Sequence, residues 1–239
     1  MTTDALAAWR TVRRQVDWAA VGGTADAADA APVRPVTDGL TDWIAAEGAV
    51  RGAGRARRML AAGELMRADV AGGRPLTPEL LLGWQRVVLG DEAVDFRRTD
   101  AFAKGGRERY GYAPSLREDF AGCLRESADP APGPAARAAR AYLDVAFFHP
   151  FPDGNGRCAM LALCHVLESA GIGLDLVGPL TVTRYADDPA GAADLAVLVG
   201  VLARAARRRA ARRAGRRRAP VAWGHGIFAG GCPPAVVDG

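Results

Sequence analysis

Apolar residues recur at helical spacing along most of the chain. Thr77-Pro78-Glu79 supplies a capping residue, a proline for the first helical position and an acid for the first turn. Behind it, Leu80, Leu81, Trp84, Val87 and Val88 fall on one face of a helix that Gly90-Asp91 ends. Ala139, Tyr142, Leu143, Ala146 and Phe147 repeat the pattern in a helix over 135–148, and a further apolar helix runs from Asn155 to Ala170, stopped by Gly171. The spacing also predicts an N-terminal helix, a long helical stretch over 40–70 weakened by Gly48, Gly52 and Gly54, a helix from Pro114-Ser115 to Arg125, and a last helix from Asp188-Pro189. Residues 93–113 break the pattern. There Val94, Phe96, Phe102, Tyr110 and Tyr112 sit among arginines around Lys104-Gly105-Gly106, which reads as a hairpin. About seven helices and one small β element make the class mainly α.

Composition changes this picture little. With 239 residues and 49% apolar positions, the chain is long enough to bury a core without disulfides or a structural metal. The longest apolar run, Leu195 to Ala203, is short for a bilayer span, and the N-terminus lacks a secretory pattern, so no membrane is expected and the reading is cytoplasmic. Cys123, Cys158, Cys164 and Cys232 form no CxxC pair and read as reduced structural thiols rather than a zinc site. The net charge of +4 is uneven: nine arginines and no acid lie between Arg204 and Arg218, so the remainder is mildly acidic. No aromatic residue interrupts that run. A solvated helix end is favoured there over a nucleic-acid interface.

The chemistry is concentrated in His149-Pro150-Phe151-Pro152-Asp153-Gly154-Asn155-Gly156-Arg157, between two apolar helices. Two glycines at the start of a helix let backbone N–H groups converge on one point, an anion nest at the positive end of the helix. Arg157 in the first turn opposes the helix dipole, which makes sense if a phosphate binds there. Asp153 beside it suits a Mg²⁺ ion bridging phosphates. His149 can take a proton from a hydroxyl near neutral pH. Base, metal carboxylate, phosphate nest and arginine together describe phosphoryl or nucleotidyl transfer.

This segment resembles the Fic family signature HPFx(D/E)GNGR at every specified position. The resemblance implies a Fic-like helical bundle with a short β-hairpin flap, the flap being 93–113 and docking an acceptor. It implies a catalytic domain over 40–205, preceded by an N-terminal helix and connection over 1–39 and followed by an arginine-rich helix end and Gly/Pro-rich tail over 206–239. It further implies transfer of AMP, or another nucleoside monophosphate, from a magnesium-bound ATP or other nucleotide to a hydroxyl, typically of a protein side chain. His149 would be the base and Asp153 the Mg²⁺ ligand. Gly154, Asn155, Gly156 and Arg157 would hold the phosphates, and Phe151 would anchor the loop. A transferase or phosphate-cleaving enzyme acting on a small molecule, and a non-catalytic nucleotide- or nucleic-acid-binding regulator, are the alternatives.

The chain departs from the family at Met160. Many members carry a second arginine there, three residues after the first, which helps hold the γ-phosphate and partners an inhibitory glutamate. Its absence predicts poor discrimination between nucleoside tri- and diphosphate. Glu47-Gly48 resembles the end of the (S/T)xxxE(G/N) inhibitory motif, but Trp43 fills its Ser/Thr position, and Glu47 is read as a surface glutamate. His165 is read as a packed or exposed histidine rather than a ligand.

Overall fold

The computed structural model describes residues 3–21 and 32–218. The Gly/Pro-rich tail from Pro220 and most of the connection over 22–39 lie outside them. Eight α-helices and one two-stranded sheet make up the described fold: α1 Ala5–Gln15, α2 Gly39–Arg51, α3 Ala53–Ala71, α4 Pro78–Leu89, β1 Ala101–Ala103, β2 Glu108–Tyr110, α5 Leu116–Arg125, α6 Pro134–Phe148, α7 Asn155–Ser169 and α8 Pro189–Arg218. The eighth helix comes from a break inside the stretch over 40–70. Gly52 adopts φ +103, a conformation that L side chains rarely reach, and so separates α2 from α3.

The core is built on α6 and α7. Leu143, Val145 and Phe148 of α6 and Cys158, Leu161 and Leu163 of α7 are all but fully buried. Helix α4 starts as expected, with the Thr77 hydroxyl accepting from Leu80 N at 3.2 Å, and it buries Leu80, Leu81, Trp84 and Val88. Helix α1 is pinned to the same core, where Trp9 Nε1 donates to Asp144 Oδ1 at 3.0 Å and Arg13 Nε pairs with the same carboxylate at 2.7 Å. Helix α8 is, over Pro189–Arg216, long and apolar enough to cross a membrane by length and composition, although its uninterrupted apolar run is short. The difference arises because an 18-residue window, 189–206, holds only Asp194 and Arg204 as charged residues. Leu195, Ala196 and Val199 of that helix are buried, as in a core helix. Beyond Ala206 it is largely exposed, with Arg208, Arg212, Arg213 and Arg216 in solvent.

The hairpin forms where the aromatic and arginine cluster predicts it. Ala101 pairs with Tyr110 and Ala103 with Glu108, and the turn is made by Lys104, Gly105 and Gly106, all at positive φ. Its tip is tied down by the Lys104 ammonium, which pairs with Glu108 at 2.6 Å and sits 4.7 Å over the Tyr185 ring. Its base is tied to the N-terminus, where Asp4 caps α1 and also accepts from Gly111 N at 3.1 Å.

Candidate active site

Helix α6 ends because His149 turns into the left-handed region, φ +48. A residue with a Cβ is disfavoured there by about 1–2 kcal/mol, so something must hold it. Arg97 does. Its backbone N donates to Pro150 O at 2.9 Å and its Nε to His149 O at 2.8 Å. Its terminal nitrogens donate to Thr99 O, Gly111 O and Phe148 O at 2.6, 2.9 and 3.2 Å. One buried guanidinium thus binds the chain on both sides of the His149 ring and both ends of the hairpin. Burial pulls the Arg97 pKa down, yet arginine remains protonated and the ring of carbonyl dipoles takes the place of a carboxylate.

The His149 ring is positioned twice over. Its Nδ1 lies 3.2 Å from Ala146 O. A carbonyl only accepts, so Nδ1 carries the proton and Nε2 keeps the lone pair. The ring stacks on Tyr110 of β2, centroids 4.3 Å apart and planes 15° from parallel, and the Tyr110 hydroxyl donates to Glu108 at 2.6 Å. Burial lowers the His149 pKa from its usual value near 6.5, and the hydrogen bond from Nδ1 to Ala146 O offsets this only in part. The neutral, proton-accepting form is therefore the resting form at neutral pH.

The loop after His149 is closed from inside. Phe151 is fully buried against Phe96, ring centroids 5.2 Å apart. The Asn155 amide grips it, Oδ1 accepting from Phe151 N at 3.0 Å and Nδ2 donating to Phe151 O at 2.8 Å. The Asn155 side chain is therefore engaged with the loop, and only its backbone N–H faces a ligand role. Gly154 caps α7 at φ +75, where a Cβ would stand 2.5 Å from Gln85 Nε2. That amide in turn donates to the Asp153 carbonyl. Gly156 is different: nothing lies within 4 Å of where its Cβ would be, so packing does not require the glycine. Open space at the first turn is what a close ligand needs. Among the described residues, the N–H groups of Asn155 and Gly156 have no backbone partner, the usual state of a helix N-terminus.

Arg157 reaches across to α4, donating to Val88 O at 3.1 Å, and its Nη2 lies 3.4 Å from the Asp153 carboxylate. Its Nε is buried without a partner. The Asp153 side chain is 78% exposed, and its other oxygen accepts from Gly154 N at 2.6 Å. A cavity of about 320 Å³ opens on this end of α7, lined by Gly156, Arg157 and Met160, by Glu47 and Arg51 of α2 and by Arg55 of α3. Glu47 is thus part of a cavity wall rather than simply a surface residue, and it pairs with Arg51, one turn along its own helix, at 2.7 Å. Met160 lies on the same wall and is buried, bringing neither charge nor donor.

The structure therefore gathers Gly156, Arg157 and Met160 at one cavity, with Asp153 beside Arg157 but not among the lining residues. It holds His149 beneath the hairpin and turns the Asn155 side chain inward. Arg97, Gln85, Tyr110 and Arg55 join the site from elements far away in sequence. His165 packs against Trp84 with its Nε2 3.1 Å from Arg74 O, a core histidine. Burial pushes the Cys158 and Cys164 thiols up, as for unreactive structural cysteines. Among the described residues no three His, Cys, Asp or Glu side chains cluster as a metal site.

Solved structures with similar folds include IbpAFic2 covalently tethered to Cdc42, at 14% identity and TM-score 0.53, covering 82% of this chain and 70% of that one. A variant of Fic-1 from C. elegans matches at 21% identity and TM-score 0.52, covering 89% and 71%. An IbpAFic2 variant in complex with adenylylated Cdc42 matches at 13% identity and TM-score 0.50, covering 83% and 69%. At these identities the likeness is one of fold. No functionally curated protein matches the sequence. The model of the Fic/DOC family matches residues 75–167, a span that runs from the cap of α4 through the hairpin and the motif loop to the end of α7. It is narrower than the expected 40–205 and contains every motif residue. Over residues 75–167 the chain thus matches the Fic/DOC family, and the solved structures that share its fold are Fic domain proteins.

Proposed function

We propose that this chain transfers AMP, or another nucleoside monophosphate, from a magnesium-bound nucleotide to a hydroxyl on a protein side chain. The observation that carries the reading is the His149 imidazole, neutral at Nε2 and fixed at Nδ1, at the head of a loop that ends in an open helix N-terminus with Arg157. The acceptor oxygen attacks the α-phosphorus, the bond from that phosphorus to the β-phosphate oxygen breaks, and the hydroxyl proton passes to His149 Nε2. The N–H groups of α7 and Arg157 face the charge that develops on the phosphates, where fixed donors stabilise it without reorganising. Phe102 projects from the hairpin at 60% exposure, and an extended acceptor can add to that edge through main-chain bonds. The adenylylated Cdc42 bound by the IbpAFic2 variant supports a protein acceptor for this fold.

Asp153 lies beside Arg157 with its side chain exposed, and it fits a Mg²⁺ ion that takes its other ligands from phosphates and water. It does not by itself make a site for the free ion. When bound, Mg²⁺ would neutralise charge on the phosphates. Asp153→Ala is therefore expected to raise the Mg²⁺ concentration needed for half-maximal nucleotide binding by about tenfold, while binding in EDTA stays as it was. An unchanged Mg²⁺ dependence would remove Asp153 from the site. The transfer itself is tested with nucleotides labelled at the α- or the γ-phosphate. Label from the α position alone should appear on protein; label from the γ position alone would mean phosphate transfer instead.

A further inference from the structure

The wall of the cavity beside α7 carries three guanidinium groups and one carboxylate: Arg51, Arg55 and Arg157 against Glu47. Glu47 is engaged by Arg51 at 2.7 Å. Arg157 has Val88 O and a long contact to Asp153. The Arg55 side chain has no ion pair or hydrogen bond to any of the described residues, although the residue is half-buried. It stands close enough to Arg157 that its field helps to depress the Arg157 pKa, second only to burial. Arg58, the other cation that acts on Arg157, runs over Gly90 and is not part of the wall. Bringing an unpaired guanidinium into a half-buried wall beside another is unfavourable unless an anion joins them.

The place of that anion follows from the helix. Phosphates held at the first turn of α7 meet the Asn155 and Gly156 N–H groups and Arg157. Met160 lies about one turn further along, on the same wall, and Arg55 enters from α3 to share that wall. A triphosphate tail reaches one phosphate further into the cavity than a diphosphate does. We propose that Arg55 binds the terminal phosphate of a nucleoside triphosphate donor and sets a preference for triphosphate over diphosphate. The inference rests on the nucleotide reading of the site. It reverses the expectation drawn from Met160 alone: the charge missing from position 160 is supplied by the neighbouring helix.

Calorimetry with the magnesium salts of ATP, GTP, CTP and UTP identifies the base, and the matching diphosphate is then compared. A charged hydrogen bond to the last phosphate should give the wild type a triphosphate preference of about ten- to a hundredfold. Arg55→Met should bring the two affinities to within about threefold of each other by weakening the triphosphate only, and Arg55→Lys should keep an intermediate preference. Thermal unfolding shows that each variant is folded. No preference in the wild type, or a preference that survives in Arg55→Met, would overturn the role of Arg55 while leaving the nucleotide site standing. A folded wild type that binds none of the four triphosphates would overturn the nucleotide reading, and Arg55 with it.

Discussion

Replacing His149 by alanine should lower the transfer rate by about 10²–10⁴-fold and leave nucleotide affinity within about twofold. The split follows from position. The imidazole sits at the start of the motif loop beneath the hairpin, whereas the phosphate donors lie at its end, on α7 and Arg157. The pH profile gives a second signature. Only the neutral ring accepts a proton at Nε2, and burial disfavours the imidazolium. The rate should therefore hold steady as pH falls to the usual imidazole value near 6.5 and drop only below it. His149→Ala should lack that acid limb. Loss of nucleotide binding in step with loss of rate would instead make His149 a ligand for the donor.

The largest effect on stability is expected at Arg97. Its bonds to Gly111 O and Phe148 O are fully buried. Leaving a buried carbonyl unpaired costs about 1–3 kcal/mol, so losing these two alone amounts to roughly 2–6 kcal/mol in Arg97→Ala. Urea unfolding of Arg97→Ala and Arg97→Lys would measure it. Lysine keeps the charge but not the planar fork that meets four carbonyls at once, so it should recover less than half. The folded fraction of Arg97→Lys should also transfer slowly at normal nucleotide affinity, because His149 would lose the contact that holds its left-handed backbone. Wild-type stability in both variants would show that the carbonyls find other partners.

These two residues show what could be read from the sequence. His149 stands in a contiguous segment whose chemistry is local: glycines at a helix start, a carboxylate, a base. Spacing alone was enough to place it between α6 and α7. The hairpin was legible because Gly105-Gly106 marks its turn, and α4 because Thr77-Pro78 marks its start. Arg97 was visible only as one arginine among several in 93–113, since its partners at 111 and 148–150 meet it through the fold. The inward turn of the Asn155 side chain is not legible, because its amide closes back on Phe151, a contact four residues away that a phosphate-binding pattern does not reveal. Gly52 marks a weak point in the stretch over 40–70, but helix-compatible residues on both sides do not show that the helix breaks there. Arg55 and Glu47 belong to the cavity only because α2 and α3 pack across the start of α7. Close approach permits this: a Cβ on Gly48 would stand 2.5 Å from that of Ala56.

The central claim is transfer of a nucleoside monophosphate with His149 as base. Intact-mass spectrometry tests it most directly, with wild type and His149→Ala each incubated with Mg²⁺ and the four nucleoside triphosphates, alone and with cell extract. The account predicts a gain of one nucleoside monophosphate on a protein in the wild-type reactions, from one preferred nucleotide, and none above background with His149→Ala. No such gain from any nucleotide, or the same gain in both, would contradict it.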